Sequence, residues 1–283
     1  MTLLTANALR AGYGPRMILD NLDLTVPAGA ITAIVGANAC GKSTLLRCLA
    51  RLLRPSAGQV VLDGRSVQDM PTRELARILG LLPQSPTAPD GITVADLVSH
   101  GRHPHQGLLS RWTQADDLAV ASALAVTQTA DLAERDVDAL SGGQRQRAWI
   151  AMALAQETDI LLLDEPTTFL DVAHQIEVLD LLVDLNRRRG TTIVMVLHDL
   201  NLAARYADHL VALLQGKVHA AGPPERVLTE TVFEKVFGVR CRVMTDPTSG
   251  QPMMLPLGRH RLAPTLTEQS QQKPVTAWSM QGE

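Results

Sequence analysis

One nine-residue stretch constrains the fold of this 283-residue chain more than any other feature. GANACGKST, at residues 36–44, fits the pattern G-x-x-x-x-G-K-[ST]. It follows the run AITAIVG (30–36), which predicts a buried strand, and it opens KSTLLRCLARLL (42–53), which predicts a helix ended by Pro55. A strand, this loop and a helix in that order predict backbone N–H groups and a helix N-terminus that face a phosphate.

Two side chains of this loop predict the chemistry of its ligand. The Lys42 ammonium can neutralise the β- and γ-phosphates of a nucleotide, and the Ser43 hydroxyl can bind Mg²⁺. This loop alone leaves ATP, GTP and many reaction types open. The residues that we expect to bind the nucleotide here are Gly36, Asn38, Ala39, Cys40, Gly41, Lys42, Ser43 and Thr44.

Two loop residues carry more specific expectations. Ala39 predicts a backbone without positive φ at that position, because a Cβ disfavours the left-handed region. Cys40 lies beside Lys42 and a helix N-terminus, conditions that predict a lowered thiol pKa and alkylation that blocks activity. The alternative for Cys40 is a small residue that merely fills the loop.

The rest of the chain predicts an α/β fold. Apolar runs alternate with helical patterns, which is typical of a largely parallel sheet covered by helices. Strand character disappears between about residues 93 and 140, which predicts an all-helical insertion. Residues 240–258 predict a hairpin around the turn DPTSG, and the Gln-, Thr-, Ser- and Pro-rich end from Pro264 predicts a flexible tail.

Composition excludes several classes of function. A net charge of −3 and 3% aromatic residues disfavour nucleic-acid binding, which needs a basic surface or base-stacking platforms. The three cysteines are too few for a disulfide framework, which favours a reduced, cytosolic setting. No apolar run reaches the length of a membrane span, and the first residues lack the pattern of a signal peptide. Any membrane contact is therefore expected to go through a partner.

Two further motifs add to the phosphate loop. In LSGGQ (140–144), Ser141 is a favourable helix N-cap, and Gly142 and Gly143 leave backbone N–H groups accessible to a phosphate. In ILLLDE (160–165), an apolar strand delivers Asp164 to the Mg²⁺ shell and Glu165 to a water that it can orient and deprotonate.

With these three motifs in this order, residues 1 to about 240 resemble the ABC ATPase family. The resemblance implies a P-loop ATPase core with a mostly parallel sheet, an antiparallel β edge subdomain and a helical subdomain inserted at about 90–155. The remaining predicted units are a β-hairpin extension at 241–260 and the tail at 261–283.

The resemblance also assigns residue roles. Tyr13 resembles the aromatic residue that stacks on adenine, and Gln84 the glutamine that touches Mg²⁺ and reports nucleotide to a transmembrane partner. FLD (169–171) resembles the segment whose Asp171 meets the other subunit, and His198 the histidine that contacts the γ-phosphate. The catalytic set implied is Lys42, Gln84, Glu165 and His198, with Ser43, Gln84 and Asp164 around Mg²⁺.

The resemblance further implies a homodimer that binds ATP and Mg²⁺. Each of its two ATP sites would pair residues 36–44 of one subunit with Ser141, Gly142, Gly143 and Gln144 of the other.

A closer resemblance is to the ATPases of iron–siderophore importers, particularly the ferric enterobactin type. HGRHPHQGLLSRW (100–112), in the helical insertion, is its most telling stretch, and Arg102 to His105 within it indicate a polar turn rather than a metal site. The resemblance implies two transmembrane permease subunits, an external siderophore-binding protein and a peripheral location on the cytoplasmic face of the inner membrane. Importers of heme, cobalamin or another metal chelate are the alternatives.

Two rival classes are disfavoured. ABC proteins that act on ribosomes or DNA usually carry two cassettes or long coiled coils, which this sequence lacks. A nucleotide-binding regulator without turnover would not need Glu165 and His198, and both are present.

Overall fold

The computed structural model describes residues 2–107, 111–168 and 170–258. Its strands are β1 (Leu4–Tyr13), β2 (Arg16–Val26), β3 (Ile31–Gly36), β4 (Ala57–Leu62), β5 (Arg65–Ser66), β6 (Leu79–Leu82), β7 (Ile160–Leu163), β8 (Thr192–Val196), β9 (His209–Leu214), β10 (Lys217–Gly222), β11 (Cys241–Thr245) and β12 (Pro252–Pro256). Its α-helices are α1 (Lys42–Leu49), α2 (Thr72–Ile78), α3 (Val94–His100), α4 (Gln114–Val126), α5 (Gly142–Ala155), α6 (Val172–Arg189), α7 (Leu200–Tyr206), α8 (Pro224–Val227) and α9 (Glu230–Phe237).

A six-stranded sheet in the order β10-β9-β3-β8-β7-β6 forms the centre of the fold. Strands β6, β7, β8, β3 and β9 run parallel, and only β10 is antiparallel to its neighbour β9. Strand β3 is buried at all six residues, as expected of a parallel strand covered on both faces. Parallel strands end at one edge of the sheet, so the loops after β3, β6, β7 and β8 meet there.

A second sheet in the order β2-β1-β4-β5 is antiparallel throughout. Between β6 and β7, the described chain forms α3, α4, α5 and three short 3-10 helices. The predicted α/β fold, with a mostly parallel sheet, an antiparallel sheet and an inserted helical segment, is confirmed. The exact unit limits 1–240, about 90–155 and 241–260 stay predictions, and the tail at 261–283 lies outside the described residues.

The six-stranded sheet separates two hydrophobic cores. On one face, Leu161 and Leu163 of β7 pack with α3, α4, α5 and α6. On the other face, Ile160 and Leu162 pack with α1 and the antiparallel sheet. The period-two alternation of side chains along a strand places consecutive residues in different cores.

Helix α1 is shorter than the predicted span 42–53, because it ends at Leu49. Arg51 adopts a left-handed conformation with φ of 59°, and Leu52 N and Leu53 N donate back to Arg47 O. This closing turn satisfies the last carbonyls of the helix before Pro55 is reached. No glycine stands at that point in the sequence, so a glycine C-cap could not be used to predict the end of the helix.

The two-stranded sheet of β11 and β12 lies against α7. The Asn201 side chain accepts a hydrogen bond from Met254 N at 2.7 Å and donates to Met254 O at 3.3 Å. Met254 itself is buried in the core that contains α7. None of the helices in the described part of the chain has the length and apolar character needed to cross a membrane.

Candidate active site

The loop between β3 and α1 is shaped to receive an anion. Gly41 has φ of 111°, a conformation that residues with a Cβ rarely adopt, and a Cβ there would lie 2.8 Å from Leu19 Cδ2, so glycine suits this position. The helix starts immediately afterwards, with Leu45 N donating to Gly41 O at 2.8 Å. The first N–H groups of α1 therefore have no helical partner and point toward the loop, where they can bind a phosphate.

Backbone carbonyls at the start of this loop hold the Lys42 side chain in place. Its side chain is buried, and Nζ donates to Gly36 O at 2.9 Å and to Ala37 O at 3.1 Å. An ammonium has three donors, so the two carbonyls fix its position and leave one donor for a ligand. The buried positive charge needs an anion, which is what a nucleotide phosphate supplies.

The expectation for Ala39 is wrong. Its φ is 61°, in the left-handed region that the Cβ was expected to exclude. The loop must reverse direction between β3 and α1 within five residues, and this geometry imposes the turn on whichever residue stands there. For an L-residue this conformation costs about 1–2 kcal/mol, which the surrounding loop contacts must offset.

The lowered pKa expected for the Cys40 thiol is wrong as well, whereas the effect of its alkylation on activity stays a prediction. Its thiol is only 7% exposed and packs in the core beneath the loop. Burial raises the pKa of the Cys40 thiol above its ordinary value, and this effect outweighs the lowering by the Lys42 charge. The small residue that fills the loop, which was the alternative, matches this geometry.

The Mg²⁺ ligands predicted from the sequence lie close together. Ser43 Oγ donates to Asp164 Oδ1 at 3.1 Å, although the two residues are 121 positions apart. Burial raises the pKa of the Asp164 carboxyl, and a cation beside it would favour its charged form. A hydroxyl, a carboxylate and the nearby Gln84 amide offer oxygen donors of the kind that Mg²⁺ prefers. The residues present therefore fit this ion.

Three segments converge on the Glu165 carboxylate. Gln84 Nε2 donates to Oε2 at 2.6 Å, Thr168 Oγ1 donates to the same oxygen at 3.0 Å, and His198 Nε2 lies 2.6 Å from Oε1. Glu165 has φ of 56° and a side chain that is 10% exposed, whereas the His198 side chain is 46% exposed. An acid held in this way is oriented by its neighbours and still reachable from the solvent side.

These groups surround one cleft of about 620 Å³. Its lining consists of Tyr13, Arg16, Ile18, Asn38, Ala39, Gly41, Lys42, Ser43, Thr44, Gln84, Glu165 and His198. Most are residues predicted from the sequence. Arg16 and Ile18 were missed because only tertiary structure brings their strand to this place, and Thr168, three residues after Glu165, was missed although its hydrogen bond to Glu165 is local. The cleft has the volume of a small-molecule site.

Tyr13 stands at the exposed end of this cleft. It is 46% exposed, and its hydroxyl accepts a hydrogen bond from Arg47 Nη1 at 3.1 Å. Arg47 lies on α1, one turn after Ser43. The ring is therefore anchored to the helix that also carries the phosphate-binding residues.

The LSGGQ segment is not part of this cleft. Ser141 caps α5 by accepting a hydrogen bond from Gln144 N at 3.3 Å, and Gln144 Oε1 accepts one from Ser141 N at 3.2 Å. Asp171 likewise caps α6 and contacts His174 Nδ1 at 2.7 Å. His174 hydrogen bonds lower the pKa of the Asp171 carboxyl. Phe169, which precedes this aspartate in FLD, lies outside the described residues.

A phosphate loop after β3, a carboxylate pair after β7 and a histidine after β8 define a P-loop nucleotide hydrolase. A sequence model of the family described as ABC transporter matches residues 19–168. The chain belongs to the ABC transporter family and is an ATPase of that family. The family predicted from the three motifs is confirmed.

Two relatives show where in the family the chain lies. The "Probable siderophore transport system ATP-binding protein YusV" of Bacillus subtilis (strain 168) is 55% identical over 261 residues, which cover 92% of this chain and 95% of that protein. The "Ferric enterobactin transport ATP-binding protein FepC" of Escherichia coli (strain K12) is 52% identical over 256 residues, covering 90% and 94%. The predicted resemblance to ATPases of siderophore importers is confirmed.

A solved structure shares the fold. "An inward-facing conformation of a putative metal-chelate type ABC transporter" superimposes with a TM-score of 0.79 at 29% identity. The match covers 92% of this chain and 99% of that one.

The burial of Cys40 predicts slow thiol chemistry in the native protein. At pH 8 we expect Cys40 to react with a thiol-specific reagent at least about tenfold more slowly than free cysteine, because little thiolate forms and access is blocked. All three cysteines are buried, so three thiols should become reactive on unfolding. A Cys40→Ala protein isolates its contribution. The prediction of slow chemistry is contradicted if one thiol of the native protein reacts as fast as free cysteine and that reaction disappears in Cys40→Ala.

Proposed function

We propose that this chain hydrolyses ATP to energise the import of a ferric siderophore of the enterobactin-like kind. The convergence of Gln84 and His198 on the Glu165 carboxylate, at the open side of a phosphate-binding cleft, carries the catalytic part of the proposal. Two relatives that are more than half identical to this chain, one named for siderophore transport and one for ferric enterobactin transport, support the substrate.

The proposed binding mode follows the cleft from one end to the other. Tyr13 stacks on adenine, and the N–H groups of residues 38–44, with Lys42, bind the β- and γ-phosphates. Ser43, Asp164 and Gln84 would hold Mg²⁺, which when bound would neutralise phosphate charge. The hydrogen bond between Ser43 and Asp164 and the place of Lys42 in the lining of the cleft support this arrangement.

Hydrolysis is assigned to Glu165 and its neighbours. The carboxylate accepts a proton from water while the water oxygen bonds to the γ-phosphorus and the bond to the ADP oxygen breaks, giving ADP and phosphate. Gln84 and Thr168 donate hydrogen bonds to Glu165 Oε2, and His198 Nε2 lies 2.6 Å from Oε1, so a water that bonds to this carboxylate competes with three side chains. The His198 side chain is 46% exposed, and contact with the γ-phosphate would draw it away from Glu165.

The complete site requires a second copy. The N-terminus of α5, with Ser141, Gly142, Gly143 and Gln144, is outside the cleft that contains Lys42. In a two-fold dimer these residues of one subunit would close over the ATP held by the other, with Asp171 at the contact. Ser141 and Gly142 are exposed, which leaves their backbone groups accessible to such a phosphate.

The proposed setting is the cytoplasmic face of the inner membrane. Two ATPase subunits would dock on two transmembrane permease subunits, which receive the siderophore from an external binding protein. The relatives' names and the metal-chelate transporter with which the fold superimposes support this assembly.

Replacement of the general base tests the catalytic assignment. In Glu165→Gln, we expect ATP binding to persist and phosphate release to fall by about 10²–10⁴-fold, because the water loses its proton acceptor. Fluorescent-nucleotide titration and steady-state phosphate release measure the two properties. Glu225→Gln on exposed α8 is the matched control. Turnover of Glu165→Gln within a few-fold of the unchanged protein would remove Glu165 from this role.

Replacement of the α5 N-cap tests the composite site. In a Glu165→Gln background, MgATP should convert monomer to dimer, as measured by light scattering after size exclusion. Adding Ser141→Arg should abolish that dimer while the monomer still binds nucleotide, because the new side chain fills the space meant for the partner's phosphate. Gln59→Arg, at an exposed position of β4, is the control for an added charge. Dimers that persist in Ser141→Arg would argue against a site shared between subunits.

Uptake measurements test the substrate. A strain lacking this chain should lose uptake of labelled ferric enterobactin, and the unchanged chain, but not Glu165→Gln, should restore it. Ferric hydroxamates, heme and cobalamin are supplied in parallel. If uptake of one of these is lost and that of ferric enterobactin is retained, the substrate proposal is wrong although the ATPase assignment stands.

A further inference from the structure

Arg102 is a buried cation that the nucleotide cleft does not use. Its side chain is 6% exposed and lies just after α3. Nε donates to Asp116 Oδ1 at 2.9 Å, and Nη1 donates to Ala155 O at 2.7 Å and Glu157 Oε2 at 2.8 Å. We call these four residues the Arg102 junction. A guanidinium suits this place because its planar fork satisfies several acceptors at once.

The junction joins three helices of the inserted segment. Arg102 follows α3, Asp116 lies in the first turn of α4, and Ala155 is the last residue of α5. The Asp116 carboxylate also accepts hydrogen bonds from Thr113 N at 3.0 Å and Thr113 Oγ1 at 2.8 Å. The same carboxylate thus caps α4 and anchors Arg102, so the start of α4 cannot move without disturbing the end of α5.

The chain between α3 and the junction lies directly on α5. A Cβ at Gly101 would stand 2.2 Å from Met152 O, so no larger residue fits without pushing the helices apart. This close approach brings the Arg102 side chain under the C-terminal turn of α5, where its carbonyls lack helical partners. A cation at a helix C-terminus is also favoured by the helix dipole.

Neighbouring hydrogen bonds tie the same turn to the α/β core. His105 Nε2 lies 2.8 Å from Gln156 O, Gln156 Nε2 donates to Ala76 O at 2.6 Å, and Arg77 Nε donates to Pro104 O at 2.9 Å. Ala76 and Arg77 belong to α2, which is followed directly by β6. Gln84 lies two residues after the end of β6. The C-terminal end of α5 is therefore fixed both to the other inserted helices and to the strand that leads to the cleft.

We propose that Arg102 is a positioning residue for ATP hydrolysis, acting through α5 on the LSGGQ segment. Helix α5 has 14 residues and is about 21 Å long, so it behaves as a rod whose far end is Ser141. Holding its C-terminal end sets the place of its N-terminal end relative to the core of the same subunit. That place decides whether Ser141, Gly142 and Gly143 meet the ATP of the other subunit. This inference rests on the proposed two-subunit site.

Graded substitutions of Arg102 test this role. In the Glu165→Gln background, Arg102→Lys keeps the charge but loses the fork, and Arg102→Gln loses both. We expect fluorescent-nucleotide binding by the monomer to stay within about twofold, and the dimer's dissociation constant in MgATP to rise at least about tenfold in Arg102→Gln, with Arg102→Lys between. In the background with Glu165 unchanged, kcat should fall in the same order. Arg188→Gln is the control, because that arginine is 70% exposed in its pair with Asp184.

Each outcome decides the proposal. Dimerisation of folded Arg102→Gln within twofold of its parent would overturn it, and so would a parallel loss of monomer nucleotide binding, which indicates a general structural defect. If Arg102→Gln fails to give a cooperative thermal transition, Glu157→Gln decides on the same criteria, since it removes a single, half-exposed partner. If the Glu165→Gln parent itself forms no dimer in MgATP, the proposed two-subunit function fails first, and this inference falls with it.

Discussion

The parallel pairing of β3, β8, β7 and β6 is the constraint on which the cleft depends. The register aligns Ile34 with Val196 and Leu163 with both Met195 and Leu82. Each strand therefore ends at the same edge of the sheet. The segments that follow the strands lie close together there, and they carry the phosphate loop, His198, the Asp164–Glu165 pair and Gln84. A shift of one residue in β7 would turn Asp164 and Glu165 to the wrong faces, because side chains alternate along a strand. Sheets of this kind generally bind ligands at their carboxyl edge.

The cleft is also a place where the backbone is strained. Ala39 and Glu165 are both non-glycine residues with positive φ, and both line the cleft. Such conformations persist only where surrounding contacts determine them, and they are concentrated at functional sites. For Glu165 the contacts are visible, since Gln84, Thr168 and His198 all bind its carboxylate. The stability lost to this backbone conformation is offset by the contacts that orient the carboxylate.

Local sequence patterns predicted the parts of the site that are themselves local. The phosphate loop, the strand that ends at Asp164 and the capped start of α5 each follow from a few neighbouring residues. The alternation of strands and helices likewise predicted the fold class. What failed was non-local: the burial that raises the pKa of the Cys40 thiol depends on the core beneath the loop, and the φ of Ala39 depends on how the loop must turn.

Arg102 is a further residue whose long-range contacts could not be predicted from the local sequence. Its stretch indicated a polar turn, and the turn is there, but the sequence did not reveal that the guanidinium is buried between residues 14 and 55 positions away. Arg16 and Ile18 reach the cleft only because β2 passes over α1. Long-range pairings of this kind are fixed by packing, which single-residue patterns do not encode.

The six-stranded sheet separates the helix that follows the phosphate loop from the helix that carries the LSGGQ segment. Helix α1, which begins with Lys42, rests on one face, and α5, which begins next to Ser141, rests on the other. Leu161 and Leu162 are adjacent in β7, yet Leu161 packs in the core that contains α5 and Leu162 packs in the core that contains α1. Substitutions along β7 should therefore disturb the core beneath α5 and the core beneath α1 in turn, residue by residue. Nothing in the sequence distinguishes one leucine from the next.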